Sequence, residues 1–78
     1  MKNKLVIFQN SKKNYSAFID YIIYDYDNNQ VEVSIKGKLY IYYNFSYNTV
    51  AELADYVELY GAGKAYNWLV KNKNFAKV

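Results

Sequence analysis

The stretch from residue 30 to residue 43, QVEVSIKGKLYIYY, decides the fold. Apolar and polar residues alternate strictly over residues 31–35, which is the period of a strand with one buried face. Gly37 then predicts a tight turn, and residues 39–43 predict the next strand. Because so short a connection joins antiparallel neighbours, the stretch predicts a β-hairpin.

The residues before this hairpin extend it. Residues 18–24 are β-branched and aromatic with a single charge, which favours another strand. Residues 25–29, DYDNN, predict a turn, because Asp and Asn side chains hydrogen-bond their own backbone. Residues 1–15 contain the apolar run LVIF and are expected to form either an edge strand or a loose arm. The sequence therefore predicts a three-stranded antiparallel meander with a possible extra N-terminal strand.

After residue 43 the apolar period changes to that of a helix. The apolar stripe consists of Val50, Leu53, Ala54, Val57 and Tyr60. The glycines of residues 61–63, GAG, predict the end of this helix, and a second, shorter helix is predicted from Lys64 to about residue 73. Two helices cover one face of a sheet, so we expect an α+β fold with both helices on one face. Residues 16–78 are expected to form a single domain.

The sheet face away from the helices is the predicted binding surface. In the strand over residues 39–43, aliphatic residues alternate with tyrosines, and we expect the aliphatic side chains to face the helices. The tyrosines would then stand on the open face, where nucleic acid bases can stack on them and nearby lysines can neutralise phosphates. The predicted nucleic-acid-binding residues are Tyr40, Tyr42, Tyr43, Lys36 and Lys38. Tyrosine also favours strands for its own sake, so a purely structural role stays open.

Composition narrows the class of function. Eleven tyrosines in 78 residues exceed what a small core needs, which predicts exposed aromatic surface. The formal net charge is +3, and every basic residue is Lys, which lacks the guanidinium fork that reads guanine. Any nucleic-acid binding, to RNA or another single strand, should thus be weakly sequence-specific.

An enzyme is not expected. The chain has neither His nor Cys, which excludes an imidazole base, a thiolate zinc site and a disulfide. Asp25 and Asp27 could serve acid–base or metal chemistry, but their setting is typical of a solvated hairpin turn. We therefore predict no catalytic residue, no metal and no cofactor. With no apolar run of the ~20 residues that span a membrane, a cytoplasmic location is expected.

A protein partner is the alternative to nucleic acid. Glu52, Asp55 and Glu58 form an outward acidic stripe on the first helix, and such a stripe can complement a basic protein. The chain would then act as a binding module for a nucleoprotein complex, for example as a phage-encoded, anti-CRISPR-like inhibitor of a host defence complex. Self-association through an exposed sheet edge is a third possibility.

Several of these residues occur in an order that resembles the KTSC domain, a short module of bacterial and phage proteins that also occurs at the C-terminus of some lysyl-tRNA synthetases. The residues that carry the resemblance are Ser16, Ile19, Ile22, Tyr24-Asp25, Val31, Val33, Ile35, Gly37, the central Tyr40-Ile41-Tyr42 and Gly63-Lys64-Ala65-Tyr66-Asn67 with Val70. The chain departs from the pattern at Ile23 and Gly61, where the family has Gly and Ser, and at Phe45-Ser46, where it has Val-Pro. The resemblance implies an α+β fold, and RNA binding is the function suggested for the family.

Overall fold

The computed structural model describes residues 4–13, 15–43 and 47–72. Its elements are β1 (Lys4–Gln9), β2 (Ile19–Asp25), β3 (Gln30–Ile35), β4 (Lys38–Tyr42), α1 (Tyr47–Tyr60) and α2 (Ala62–Asn72). The strands form one antiparallel sheet in the order β1-β2-β3-β4. The predicted α+β meander followed by two helices is confirmed, and β1 is the additional N-terminal strand. None of the helices in the described ranges is long and apolar enough to cross a membrane.

A two-residue turn sets the register between β3 and β4. Ile35 pairs with Lys38, and the two residues between them, Lys36 and Gly37, have φ angles of 49° and 82°. Positive φ at both central positions is the geometry of a type I′ turn, whose twist matches that of the strands it joins. The prediction of a tight turn at Gly37 is confirmed.

Two irregularities bend the sheet. The pairing of β1 with β2 shifts between Val6 and Phe8, so that Ile7 is an extra residue and packs against the core together with Phe8. The pairing of β2 with β3 shifts between Ile19 and Tyr21, which leaves Asp20 as the extra residue. Such bulges increase local twist and redirect side chains. In β2 the bulge aims the Asp20 carboxylate at the β3–β4 turn.

The core lies between the sheet and the two helices. Its buried side chains are Phe8, Ile19, Ile22, Tyr24, Val31, Val33 and Tyr42 from the strands, Val50 and Leu53 from α1, and Ala62, Ala65 and Leu69 from α2. The predicted apolar stripe of α1 faces this core, except that Tyr60 is exposed at the end of the helix. The helices cover one face of the sheet, as predicted.

A single glycine ends α1 and begins α2. Gly61 has φ 92°, and its N–H donates to the carbonyl of Val57 at 2.8 Å, which closes the last turn of α1. The carbonyl of Gly61 accepts the first hydrogen bond of α2, from the N–H of Ala65 at 3.1 Å. The prediction that residues 61–63 all separate the helices is therefore wrong. One left-handed residue is enough to turn the chain, and Gly63 lies inside the first turn of α2.

The two glycines should respond oppositely to the same substitution. Gly61→Ala should lower the free energy of unfolding by about 1–2 kcal/mol, because an L-residue is strained in the left-handed conformation. Gly63→Ala should raise it by about 0.4–1 kcal/mol, since an added Cβ meets no atom within 4 Å and restricts the unfolded chain. Urea denaturation followed by circular dichroism measures both changes. Equal effects of the two substitutions would contradict this account of the helix junction.

Candidate functional site

The tyrosines of β4 face the helices. Val31 and Val33 are buried, and their cross-strand partners are Tyr42 and Tyr40, so all four side chains lie on the covered face. Tyr42 is 4% exposed, and burial raises the pKa of its phenol. The predicted placement of Tyr40 and Tyr42 on the open face is therefore wrong. The reason is the register of the two-residue turn, which aligns the tyrosines with the buried valines.

The open face of the sheet holds mainly aliphatic and polar side chains instead, with Tyr21 as an isolated aromatic residue. Two of the cross-strand rows on this face are Val6, Ile23, Glu32 and Ile41, and Gln9, Tyr21, Ser34 and Leu39. An ion pair joins Lys4 to Glu32 across it, with Nζ and Oε1 3.5 Å apart. Of the predicted site residues, Tyr43 follows β4 directly and is half-buried. The strands therefore present no row of aromatic rings to solvent on which bases could stack.

Lysines and exposed rings gather at one end of the sheet, where β1 and β3 finish and β2 and β4 begin. This surface, called the basic end below, consists of Lys12, Lys13, Tyr15, Phe18, Lys36 and Lys38, all of them exposed. The side chain of Tyr15 is 76% exposed and that of Phe18 is 58% exposed. The predicted site residues Lys36 and Lys38 are thus brought together with rings other than those predicted.

Phe18 and Lys36 form the centre of the basic end. The Lys36 ammonium lies 5.1 Å from the centroid of the Phe18 ring, within the range of a cation–π contact. The backbone N–H of Lys36 donates to the carbonyl of Phe18 at 3.2 Å, which holds the turn beside the ring. A positive charge and an exposed aromatic ring therefore lie next to each other.

Hydrogen bonds of the Asn10 and Ser16 side chains stabilise the loop between β1 and β2. The side-chain amide of Asn10 donates to the carbonyls of Ser16, at 2.7 Å, and Ile19, at 3.1 Å. The Ser16 hydroxyl accepts the N–H of Ile19 at 3.1 Å and that of Phe18 at 3.4 Å. These contacts satisfy polar groups of the loop and fix its two ends. As a result Tyr15 and Phe18 are displayed from a closed loop rather than from a strand.

Asp20 connects β2 to the end of β3 and to the β3–β4 turn. One oxygen of its carboxylate accepts the N–H of Gly37 and the hydroxyl of Ser34, each at 2.9 Å. The hydrogen bond from Gly37, followed by that from Ser34, lowers the pKa of the Asp20 carboxyl. The carboxylate stays ionised and is directed at the turn that carries Lys36. No role for Asp20 is predicted from the sequence, because nothing local marks it as the extra residue of a bulge.

Asp25, the last residue of β2, has a structural role in the β2–β3 loop. The Asp25 carboxylate accepts the side-chain amide of Asn28 at 2.9 Å and the N–H of Asp27 at 3.0 Å. The hydrogen bond from Asn28 is the main cause that lowers the pKa of Asp25. Asp27 is exposed, as a solvated turn predicts, whereas Asp25 is buried. Within the described ranges no three His, Cys, Asp or Glu side chains are grouped so that they could hold a metal ion.

The predicted acidic stripe is exposed. Glu52, Asp55 and Glu58 all lie on the solvent side of α1. Leu59 beside them is 71% exposed and Tyr60 is 56% exposed, so the stripe adjoins apolar surface. In the described part of the chain no ion pair engages these three acids. The stripe is available to a positively charged partner.

Comparison with known proteins gave no match to a family model, to a curated protein or to a solved structure. The resemblance to the KTSC domain therefore stays a prediction from the residues that carry it.

Asp20 should make the stability of the protein depend on pH. Its folded-state pKa lies below the ~3.9 of an unfolded Asp, so its contribution is present above about pH 4 and is lost as the pH falls through the folded-state pKa. Asp20→Asn should therefore lower the urea midpoint near pH 7, and the gap to the unaltered protein should close in acid. Asp27→Asn removes an exposed charge from the β2–β3 loop and is the matched control. A gap that is the same at every pH would show that the charge of Asp20 is not what the turn requires.

Proposed function

We propose that this protein is a non-catalytic, cytoplasmic binding module that holds single-stranded nucleic acid at its basic end with weak sequence specificity. The observation that carries the proposal is the Lys36 ammonium 5.1 Å from the exposed Phe18 ring, with Tyr15 displayed from the same loop. Single-strand binders combine these two elements, a positive groove for the backbone and rings for the bases. RNA binding is also the function suggested for the family that the sequence resembles.

Charge supports an anionic ligand at this end. The basic end carries four lysines against one nearby carboxylate, that of Asp20, which accepts two hydrogen bonds. Among the described residues, the opposite end of the sheet carries three acids, Asp25, Asp27 and Glu32, and one lysine, Lys4. A polyanion approaching the molecule is therefore steered toward the basic end.

The shape of the basic end favours a single strand over a duplex. The lysines and rings extend from the loop after β1 to the start of β4, across three strand spacings, which is about 14 Å. Stacking on Phe18 or Tyr15 requires an unpaired base, since the faces of paired bases are covered by their neighbours. Lysine ammonium groups neutralise phosphates but do not read base edges bidentately, so we expect weak discrimination among sequences.

Binding should depend on Phe18 and on the turn lysines in different ways. Phe18→Ala should weaken binding of a labelled single-stranded RNA by about 5- to 150-fold, the equivalent of the 1–3 kcal/mol of one stacked base. Lys36→Ala with Lys38→Ala should reduce the slope of log affinity against log salt by about 1.4, which is 0.7 for each phosphate that the protein no longer neutralises. Fluorescence anisotropy over a salt series measures both.

The matched control removes two lysines elsewhere. Lys4→Ala with Lys71→Ala changes the net charge equally but removes one lysine from the opposite end of the sheet and one from the last turn of α2. This variant should keep the affinity within a few-fold. Equal losses of affinity in the two double variants would show that the interaction is general electrostatic attraction and not binding at the basic end. No binding of the unaltered protein near ~50 mM salt would rule out the proposed function.

A protein partner is the second candidate, and the exposed acidic stripe of α1 favours it. In that case the module would bind a basic surface of a nucleoprotein complex, as a phage-encoded inhibitor of a host defence complex would. Reversing the stripe with Glu52→Lys, Asp55→Lys and Glu58→Lys separates the two functions. Nucleic-acid binding should be unchanged or stronger in this variant, because positive charge is added. Loss of nucleic-acid binding in a correctly folded variant would show that the nucleic-acid site is on α1 and not at the basic end.

A further inference from the structure

A groove runs along the outer edge of β1. It has a volume of about 870 Å³. One wall is formed by residues 5–9 of β1, and the other by Ala54, Val57, Gly61 and Ala62 from the helices and the junction between them. The loop after β1 closes one end with Lys13 and Tyr15. The volume is within the range of about 300–1,000 Å³ typical of ligand sites.

The strand wall presents an unpaired sheet edge. β1 is the first strand of the sheet, and in the described part of the chain no other strand pairs with its outer side. Leu5 is 38% exposed and Val6 is 55% exposed, so the edge is apolar as well as unpaired. Proteins usually protect such edges with charge, proline or a covering element. Here Lys4 is the only charge in the strand, and it already pairs with Glu32.

The helix wall leaves room for side chains. Ala54, Gly61 and Ala62 carry a methyl group or no side chain, and Val57 is the largest apolar residue among them. A strand added to β1 would point every second side chain toward this wall. The groove therefore combines backbone groups that need a partner with space on the side where alternate side chains of that partner would lie.

We propose that an extended segment of a partner protein binds in this groove as a fifth strand, with apolar residues at alternating positions. Strand addition of this kind takes its affinity from backbone hydrogen bonds and its specificity from alternate side chains. The two charged residues of the lining, Lys13 and Glu58, have opposite signs. The segment should therefore carry an acidic residue beside Lys13 and a basic residue beside Glu58, and these two contacts would fix its direction.

The proposal does not rest on nucleic-acid binding, but the two surfaces are continuous. Lys13 and Tyr15 belong both to the groove and to the basic end. A protein that itself sits on nucleic acid could therefore extend a peptide from one surface to the other. The apolar walls of the groove suit a peptide better than a nucleic acid backbone, whose phosphates would lie against Leu5, Ile7 and Val57 without compensation.

Selection from a displayed library of random ten-residue peptides tests the proposal. The unaltered protein serves as target, and a variant with the groove filled by Ala54→Trp serves for counter-selection. Ala51→Trp places the same side chain on the exposed side of α1 and is the matched control. Circular dichroism establishes that each variant is folded. Hydrogen exchange of the β1 amides then locates the bound peptides.

We expect enriched peptides to alternate apolar residues, to carry an acidic residue, and to slow the exchange of amides within residues 5–9. Their affinity should fall at least tenfold in Ala54→Trp and in Lys13→Glu, and stay within twofold in Ala51→Trp. Three outcomes overturn the proposal. The first is that no peptides are enriched relative to the filled variant, and the second is that the bound peptides leave the β1 amides unprotected. The third is that light scattering gives a dimer whose β1 amides are protected without peptide, because a second copy then occupies the edge.

Discussion

The rest of the structure depends on the register of β3 against β4. Directly opposed residues of an antiparallel pair share a face of the sheet, so the burial of Val31 and Val33 commits Tyr42 and Tyr40 to the core. A shift of one residue would exchange every side chain of β4 between the two faces. The two residues of the turn exclude that shift, because they fix the pair Ile35 and Lys38.

The same turn organises the basic end. Gly37 donates its N–H to Asp20, and Lys36 donates its own to Phe18, so two backbone groups of the turn bind the bulged start of β2. The register of β3–β4, the bulge of β2 and the display of the Phe18 ring are therefore one connected set of contacts. At this end the fold and the candidate site depend on the same contacts, because disrupting the turn would displace both the Phe18 ring and Lys36.

Patterns within single elements predicted the fold well and the site only in part. Alternation over residues 31–35 and the stripe of α1 identify these elements, because one face of each is polar. In β4 both faces are apolar, with Leu39 and Ile41 on one and two tyrosines on the other, so the strand's own pattern does not show which is buried. The two-residue length of the β3–β4 turn was the feature that could have shown which face of β4 is buried. The loop held by Asn10 and the groove beside β1 arise from contacts between separate segments, and such contacts produce no periodic pattern in the sequence.

The location of the tyrosines changes what the composition means. The buried phenols are satisfied inside the protein, since the Tyr24 hydroxyl donates to Asn29 and the Tyr42 hydroxyl lies 2.7 Å from that of Tyr66. Much of the tyrosine excess thus serves a small core that needs aromatic volume and hydrogen-bonded polar tips. Phe18 has no hydroxyl to place in water, so its exposure leaves apolar area in solvent that the contact with Lys36 covers only in part. An exposed phenylalanine under a lysine therefore argues more strongly for a binding surface than the number of tyrosines does.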